Sequence, residues 1–255
     1  MEIFLDTANL DEIRQILPWG IISGLTTNQK ILLREKGVDF RQHMETILSL
    51  IEGPVSVEVT SSRPDEFIDE AREYASWGDQ VVIKIPMYGD GRALEAVSIL
   101  EKEGIATNVT ALMSPNQVLL AACAGATYAS IFFRRIRDYG DDPERVITQS
   151  RQLLDWDGFK TRIIAGSIRD PQDVIQAGVA GAHVVTIPYK ILVQMPMHPK
   201  TEETIAEFDR AWEEFRRASV VEADTVVGRT RARPAPAKRA IVGGARREVL
   251  PSSRL

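Results

Sequence analysis

Eight short β-rich runs recur along the chain, and helix-like stretches separate most of them; that alternation admits few folds. The runs are Ile3–Asp6, Ile21–Thr26, Val55–Thr60, Val81–Pro86, Ile105–Thr110, Tyr128–Phe132, Arg162–Gly166 and His183–Ile187. Amphipathic stretches such as Arg63–Trp77, Arg92–Glu103 and Pro143–Trp156 lie between them. Asn9, Ser62, Asp90, Ser114 and Asp170 are expected to cap helices, with Pro115 and Pro171 in the first turn. Gly53, Gly104, Gly125 and Gly181 are expected to end helices. Eight such units in about 190 residues predict a single closed parallel (β/α)8 barrel, the TIM-barrel architecture; a doubly wound open sheet is the alternative. Two extra C-terminal helices are expected, near Lys190–Gln194 and Glu202–Arg217.

Composition bounds the function. With 44% hydrophobic and 26% charged residues among 255, the chain reads as an ordinary globular protein. Its apolar runs fall short of the ~20 residues of a membrane span, so no membrane association is expected. No leader is expected, since the N-terminus reads directly as a strand, and the lone Cys123 excludes an intrachain disulfide framework. Both lead to the expectation of a cytoplasmic protein, with Cys123 a small core residue. Residues 219–255 hold eight Lys/Arg against three Asp/Glu, leaving a net charge of −10 on residues 1–218. The domain division predicted is therefore a catalytic barrel over 1–218 and a basic, largely disordered tail over 219–255. An acidic folded part argues against a nucleic-acid partner. Neither Gly-x-Gly-x-x-Gly nor a Walker Gly-Lys-Ser/Thr occurs, and His43, His183 and His198 lack metal-ligand spacing, so neither nucleotide nor metal binding is expected.

Lys84 stands alone as a charge in Val81-Val82-Ile83-Lys84-Ile85-Pro86. Burying an ammonium costs several kcal/mol unless it is compensated, so stability alone does not explain a lysine there. Desolvation favours the neutral form of an amine, which attacks carbonyls. The competing reading is a lysine that snorkels from the strand end or forms a structural ion pair.

Barrel chemistry sits at the C-terminal ends of the strands. Polar residues gather there: Asp6, Thr26-Thr27-Asn28, Glu58, Lys84, Asn108, Thr110, Ser130, and Ser167 with Arg169. A lysine forming an imine needs an acid to expel water, a role open to Glu58. A retro-aldol step needs a base, and Asp6 is available. Asn28 and Asn108 suit substrate hydroxyls, while Arg135 and Arg169 suit an anionic group.

The chain resembles the small-subunit transaldolases and the similar fructose-6-phosphate aldolases in Phe4-Leu5-Asp6-Thr7-Ala8-Asn9, Gly24-Leu25-Thr26-Thr27-Asn28, Val82-Ile83-Lys84-Ile85-Pro86 and Thr107-Asn108-Val109-Thr110. Two further segments, Ala124-Gly125-Ala126-Thr127-Tyr128 and Ala165-Gly166-Ser167-Ile168-Arg169, extend the resemblance to about residue 217. It implies a metal-free and cofactor-free mechanism with Lys84 as Schiff-base lysine and Asp6, Glu58 and Thr110 as acid–base and water-holding residues. Thr26, Asn28, Asn108, Ser130 and Phe132 would contact substrate. Arg135, Ser167 and, more weakly, Arg169 would hold its phosphate. Sugar phosphates are the implied partners, in a homo-oligomer, commonly a decamer or pentamer.

Glu58 and Phe132 resemble transaldolases, whereas the aldolase subgroup carries glutamine and tyrosine. Transfer of a dihydroxyacetone unit is thus favoured over cleavage that releases it. The departures are Gln29 after Thr26-Thr27-Asn28, where proline is usual, and Ser130-Ile131-Phe132-Phe133-Arg134-Arg135, which lacks the usual proline and glycine. They are expected to reshape the loop after the sixth strand, with Arg134 either a second anion ligand or a solvated charge. They leave open a modified, for example sulfonated, sugar, and an inactive barrel acting as a scaffold.

Overall fold

The computed structural model describes residues 1–61 and 63–230. Ser62 and most of the expected tail, from 231 onward, lie outside the described residues. Among the described residues the strands are β1 (Glu2–Asp6), β2 (Gly24–Thr26), β3 (Val55–Glu58), β4 (Val81–Pro86), β5 (Thr107–Leu112), β6 (Tyr128–Phe132), β7 (Arg162–Gly166) and β8 (Val184–Ile187). They pair in parallel in sequence order, and β8 returns to β1, so the sheet is a closed barrel and not an open one. The helices are α1 (Leu10–Ile16), α2 (Gln29–Leu32), α3 (Phe40–Leu50), α4 (Pro64–Ala75), α5 (Arg92–Lys102), α6 (Pro115–Cys123), α7 (Phe133–Tyr139), α8 (Pro143–Trp156), α9 (Pro171–Val179), α10 (Tyr189–Leu192) and α11 (Pro199–Thr230).

Local chemistry accounts for most helix starts. The side chains of Asn9, Ser114 and Asp170 accept backbone N–H bonds at the starts of α1, α6 and α9. Asp90 takes the N–H of Arg92, but Gly91 occupies the cap position of α5. Gly104, Gly125 and Gly181 adopt left-handed conformations just beyond α5, α6 and α9. Gly53 serves a different purpose from the expected cap. A Cβ there would lie 2.0 Å from the Ser23 carbonyl oxygen, so close approach of two backbones requires glycine.

Two-residue alternation divides the strand side chains. Outward, Leu5, Val57, Ile83, Ile85, Val109, Ile131, Ile163 and Val185 join the main core. Inward, Phe4, Val82, Tyr128, Ile164 and Val184 form a second apolar cluster that fills the barrel. The next inward positions are polar: Asp6, Lys84, Ser130 and Thr186 follow Phe4, Val82, Tyr128 and Val184 by two residues each.

Cys123 is exposed, contrary to expectation. The apolar run around it has no visible period, but the helix does: Val118, Ala121 and Ala122 face inward, while Leu120 and Cys123 face out. The chain divides into two compact units, Met1–Met197 and His198–Leu255. The first is the barrel. Among the described residues the second is α11, which passes through residue 218, so helix continues beyond the expected start of the tail. No helix among the described residues is long and apolar enough to cross a membrane.

At the N-terminal face, the Glu101 carboxylate accepts bonds from the backbone N–H and hydroxyl of both Thr107 and Thr127, tying α5 to the entries of β5 and β6. Replacing Glu101 with Ala strands two backbone donors and is expected to cost about 3 kcal/mol. Thermal denaturation should show Tm lower by roughly 6–12 °C with little change in KM.

Candidate active site

A cavity of about 760 Å³ opens at the C-terminal ends of the strands. Eleven of the twelve expected site residues line it: Asp6, Thr26, Asn28, Glu58, Lys84, Thr110, Ser130, Phe132, Arg135, Ser167 and Arg169. Asn108 is the exception. It is fully buried below the cavity wall, where it donates to Ser56 Oγ at 3.0 Å and accepts from Ser130 Oγ at 2.7 Å.

Lys84 lies on β4 between Glu58 on β3 and Asn108 on β5, its register partners on either side. Its side chain is 6% exposed. Nζ stands 3.2 Å from Glu58 Oε2 and donates to the Thr27 carbonyl at 2.9 Å. The snorkelling alternative is thereby removed: the amine stays inside, next to a carboxylate that can exchange a proton with it. Thr27 is itself fixed by its hydroxyl, which donates to the Ser56 carbonyl at 2.9 Å.

Asp6 accepts from Thr26 Oγ1 at 2.8 Å, and Thr26 Oγ1 lies 2.6 Å from Thr186 Oγ1. Burial pushes the Asp6 carboxyl above its ordinary value; the positive charge of Lys84 and the Thr26 bond oppose the shift without cancelling it. Asn28 caps α2, its Oδ1 accepting from Ile31 N at 3.0 Å, which leaves the amide NH2 as a donor. Thr110 Oγ1 is buried without a hydrogen-bond partner among the described residues. It borders a register shift in β5, where Ala111 takes φ 62°, and Ser167 likewise takes φ 60°. Two non-glycine residues in the left-handed region, both lining one cavity, mark backbone strained at a site.

The segment after β6 accommodates its unusual sequence without a loop: β6 passes directly into α7. Ile131 and Phe133 are buried in the core. The Arg135 guanidinium packs over the Phe132 ring, 4.9 Å from its centroid. Arg134 does not line the cavity, and its partly exposed guanidinium is held by a partner instead of standing free. It pairs with the buried Asp173 at 2.7 Å. Arg169 pairs with Asp138 at 2.7 Å.

Sequence reasoning passed over Ser56, Thr186, Lys30, Arg34 and Lys190. Strand parity was a usable signal for the first two, since Ser56 lies two residues before Glu58 and Thr186 two after Val184. The three cations sit on loops and short helices, where no period applies. With them the cavity wall holds six basic and four acidic side chains, in a chain of net charge −5. His43 Nε2 meets the Ala8 carbonyl and His183 Nδ1 accepts from Ile163 N, both scaffold contacts. Among the described residues no group of three or more His, Cys, Asp or Glu is placed to hold a metal ion.

The raised Asp6 pKa carries a stability consequence. The folded protein binds this proton more tightly than the unfolded chain does. The group's stabilising contribution is therefore complete below the ordinary value of 3.8 and is lost as pH rises through the folded value. Asp6→Asn should accordingly raise Tm at pH 7, and the gain should vanish in melts below pH 3.8.

Similarity to known proteins agrees with this geometry. The sequence model of the Transaldolase/Fructose-6-phosphate aldolase family matches residues 3–231. A probable transaldolase of Desulforudis audaxviator is 46% identical over 217 residues, 85% of this chain and 100% of that one. One of Maridesulfovibrio salexigens is 46% identical over 215 residues, covering 84% and 99%. One of Alkaliphilus metalliredigens is 43% identical over 213 residues, covering 84% and 98%. Among solved structures, a flavocytochrome b2 variant with sulfite bound aligns with TM-score 0.54 at 12% identity, over 74% of this chain and 56% of that one, a likeness of fold alone. The buried lysine, its carboxylate neighbours and these matches lead to one conclusion: the chain is an enzyme of the transaldolase/fructose-6-phosphate aldolase family.

Proposed function

We propose that the protein is a class I transaldolase that moves a dihydroxyacetone unit from a ketose phosphate, such as fructose 6-phosphate or sedoheptulose 7-phosphate, to an aldose phosphate. The observation that carries this reading is the buried amine of Lys84, 3.2 Å from Glu58 in a wall richer in cations than in anions.

Lys84 Nζ attacks the ketose C2 carbonyl, and the carbinolamine loses water after Glu58 delivers a proton to its oxygen. Thr110, whose hydroxyl has no partner among the described residues, holds the water involved. Asp6 then takes the proton of the C4 hydroxyl. The C3–C4 bond breaks, its electron pair moves into the enamine on Lys84, and the aldehyde departs. Attack of the enamine on a second aldehyde reverses these steps, and hydrolysis frees the amine. Asn28 offers amide donors to substrate hydroxyls, while Asn108 holds Ser130 and keeps one N–H of its own. Arg135 and Ser167 receive the phosphate, with Arg169 beside them.

Transfer is favoured over release of free dihydroxyacetone by Phe132, which offers no hydroxyl to protonate the enamine, and by the carboxylate at Glu58. Self-association is part of the same proposal. On α11, Ile205, Phe208, Trp212 and Phe215 recur at helical spacing and are exposed, with Trp212 and Phe215 stacked at 5.4 Å. A cytoplasmic location and a catalytic barrel followed by a basic tail complete it.

Borohydride reduction in the presence of fructose 6-phosphate, followed by peptide mass spectrometry, is expected to leave a reduced three-carbon adduct on the Lys84 peptide and none in Lys84→Met. A wild-type Lys84 peptide left unmodified by fructose 6-phosphate and by dihydroxyacetone alike would sink the imine mechanism. Glu58→Gln is expected to lower kcat by about 10²–10⁴-fold, the usual worth of a positioned acid. Omitting the aldose acceptor from a wild-type assay should abolish net turnover; steady production of dihydroxyacetone without acceptor would identify an aldolase instead.

A further inference from the structure

Arg134 and Asp173 stand outside the reaction described above, yet they join the two segments that carry the anion-binding side chains. Asp173 is fully buried and lies in the first turn of α9. Its Oδ2 accepts from Arg134 Nε at 2.7 Å, from Arg169 N at 3.0 Å and from Asp170 N at 3.1 Å. Its Oδ1 receives a longer bond from Arg137 at 3.4 Å, and Arg137 continues to Glu144 at 3.0 Å and Gln176 at 3.2 Å. Asp138 pairs with Arg169 across the same seam.

Helical spacing explains why these residues act together. Arg134, Arg137 and Asp138 lie three and four positions apart on α7, so they share the face turned toward the β7 loop and α9. Arg135 is one position round from Arg134 and reaches the cavity wall instead. A charged pair with a fully buried acceptor is far more constraining than an exposed one such as Arg169–Asp138, whose partners are each half exposed.

We infer that Asp173 and Arg134 are positioning residues that set the spacing between Arg135 on one side and Ser167 on the other, and so fix where the terminal anion of the substrate sits. The inference rests on the sugar-phosphate reading above. Asp173 holds α7 through Arg134 and holds the segment after Ser167 through two backbone N–H groups, so one carboxylate couples both sides of the anion seat. Without that link α7 and the β7 loop keep only the half-exposed Arg169–Asp138 pair between them, and a phosphate spanning them loses a matched pair of contacts. Among the described residues, Lys84, Glu58 and Asp6, on β4, β3 and β1, share no hydrogen bond with Arg134 or Asp173.

The test compares donors that differ in charge. Wild type, Asp173→Asn, Arg134→Gln and the conservative Asp173→Glu are assayed with fructose 6-phosphate and, for adduct formation on Lys84, with unphosphorylated dihydroxyacetone. Fructose 6-phosphate KM is expected to rise about ten-fold in Asp173→Asn and Arg134→Gln with kcat nearly retained, while dihydroxyacetone trapping stays at the wild-type level. Asp173→Glu should recover part of the loss. Arg134→Gln, altering a partly exposed side chain, keeps the test decisive if Asp173→Asn folds poorly. Equal losses with both donors would reduce these residues to general scaffold and overturn the inference, as would unchanged KM in both variants. Failure of wild type itself to form an adduct from fructose 6-phosphate would instead remove the sugar-phosphate reading, and this inference with it.

Discussion

Closing eight parallel strands into a barrel separates their side chains into an outer set that packs under helices and an inner set that must fill a narrow space. Each strand alternates between the two with period two, so a strand's inward residues are settled once any one of them is. Here the inner set is apolar at one level, with Phe4, Val82, Tyr128, Ile164 and Val184. It is polar at the next, with Asp6, Lys84, Ser130 and Thr186. The apolar layer closes the floor and excludes water from below. The layer above it faces a cavity at the strand C-termini.

That floor is what makes a lysine chemically useful. An ammonium in an apolar interior is costly, and Lys84 meets the cost with a carboxylate at 3.2 Å and a carbonyl at 2.9 Å. The same contacts orient Nζ toward the cavity. Asp6 is held near enough to feel the Lys84 charge, yet burial still raises its pKa. Backbone strain at Ala111 and Ser167 falls on the same wall, where a stable scaffold on every side can hold it.

Electrostatics of the whole chain and of the site run in opposite directions. The protein is acidic overall, whereas its cavity wall carries more basic than acidic side chains. A cationic seat in an acidic surround focuses an anionic ligand onto the site and discourages loose binding elsewhere. Arginine suits such a seat only when its planar fork is aimed, and aiming requires neighbours. Phe132 packs against Arg135, and the Asp173 cluster secures the helix that bears it.

Much of this was legible in the sequence. The eight alternating runs imply the barrel, because a parallel strand needs a crossover and a short helix is its usual form. The lone charge at Lys84 and the polar residues at the strand C-terminal ends point to the cavity that most of them line, since position along a strand is a local property. Strand and helix ends were less legible: Gly91 displaced Asp90 as a cap, and Gly53 proved to be a point of close backbone approach. The exposed Cys123 shows that an apolar run does not declare which side of a helix is buried. What tertiary structure alone decided is pairing across distance. That Arg134 turns to Asp173, that Asn108 lies beneath the cavity between Ser56 and Ser130, and that Lys30, Arg34 and Lys190 join the wall all depend on residues far apart in sequence. Period and propensity act within a few residues, whereas a charge finds its partner only after the chain has closed.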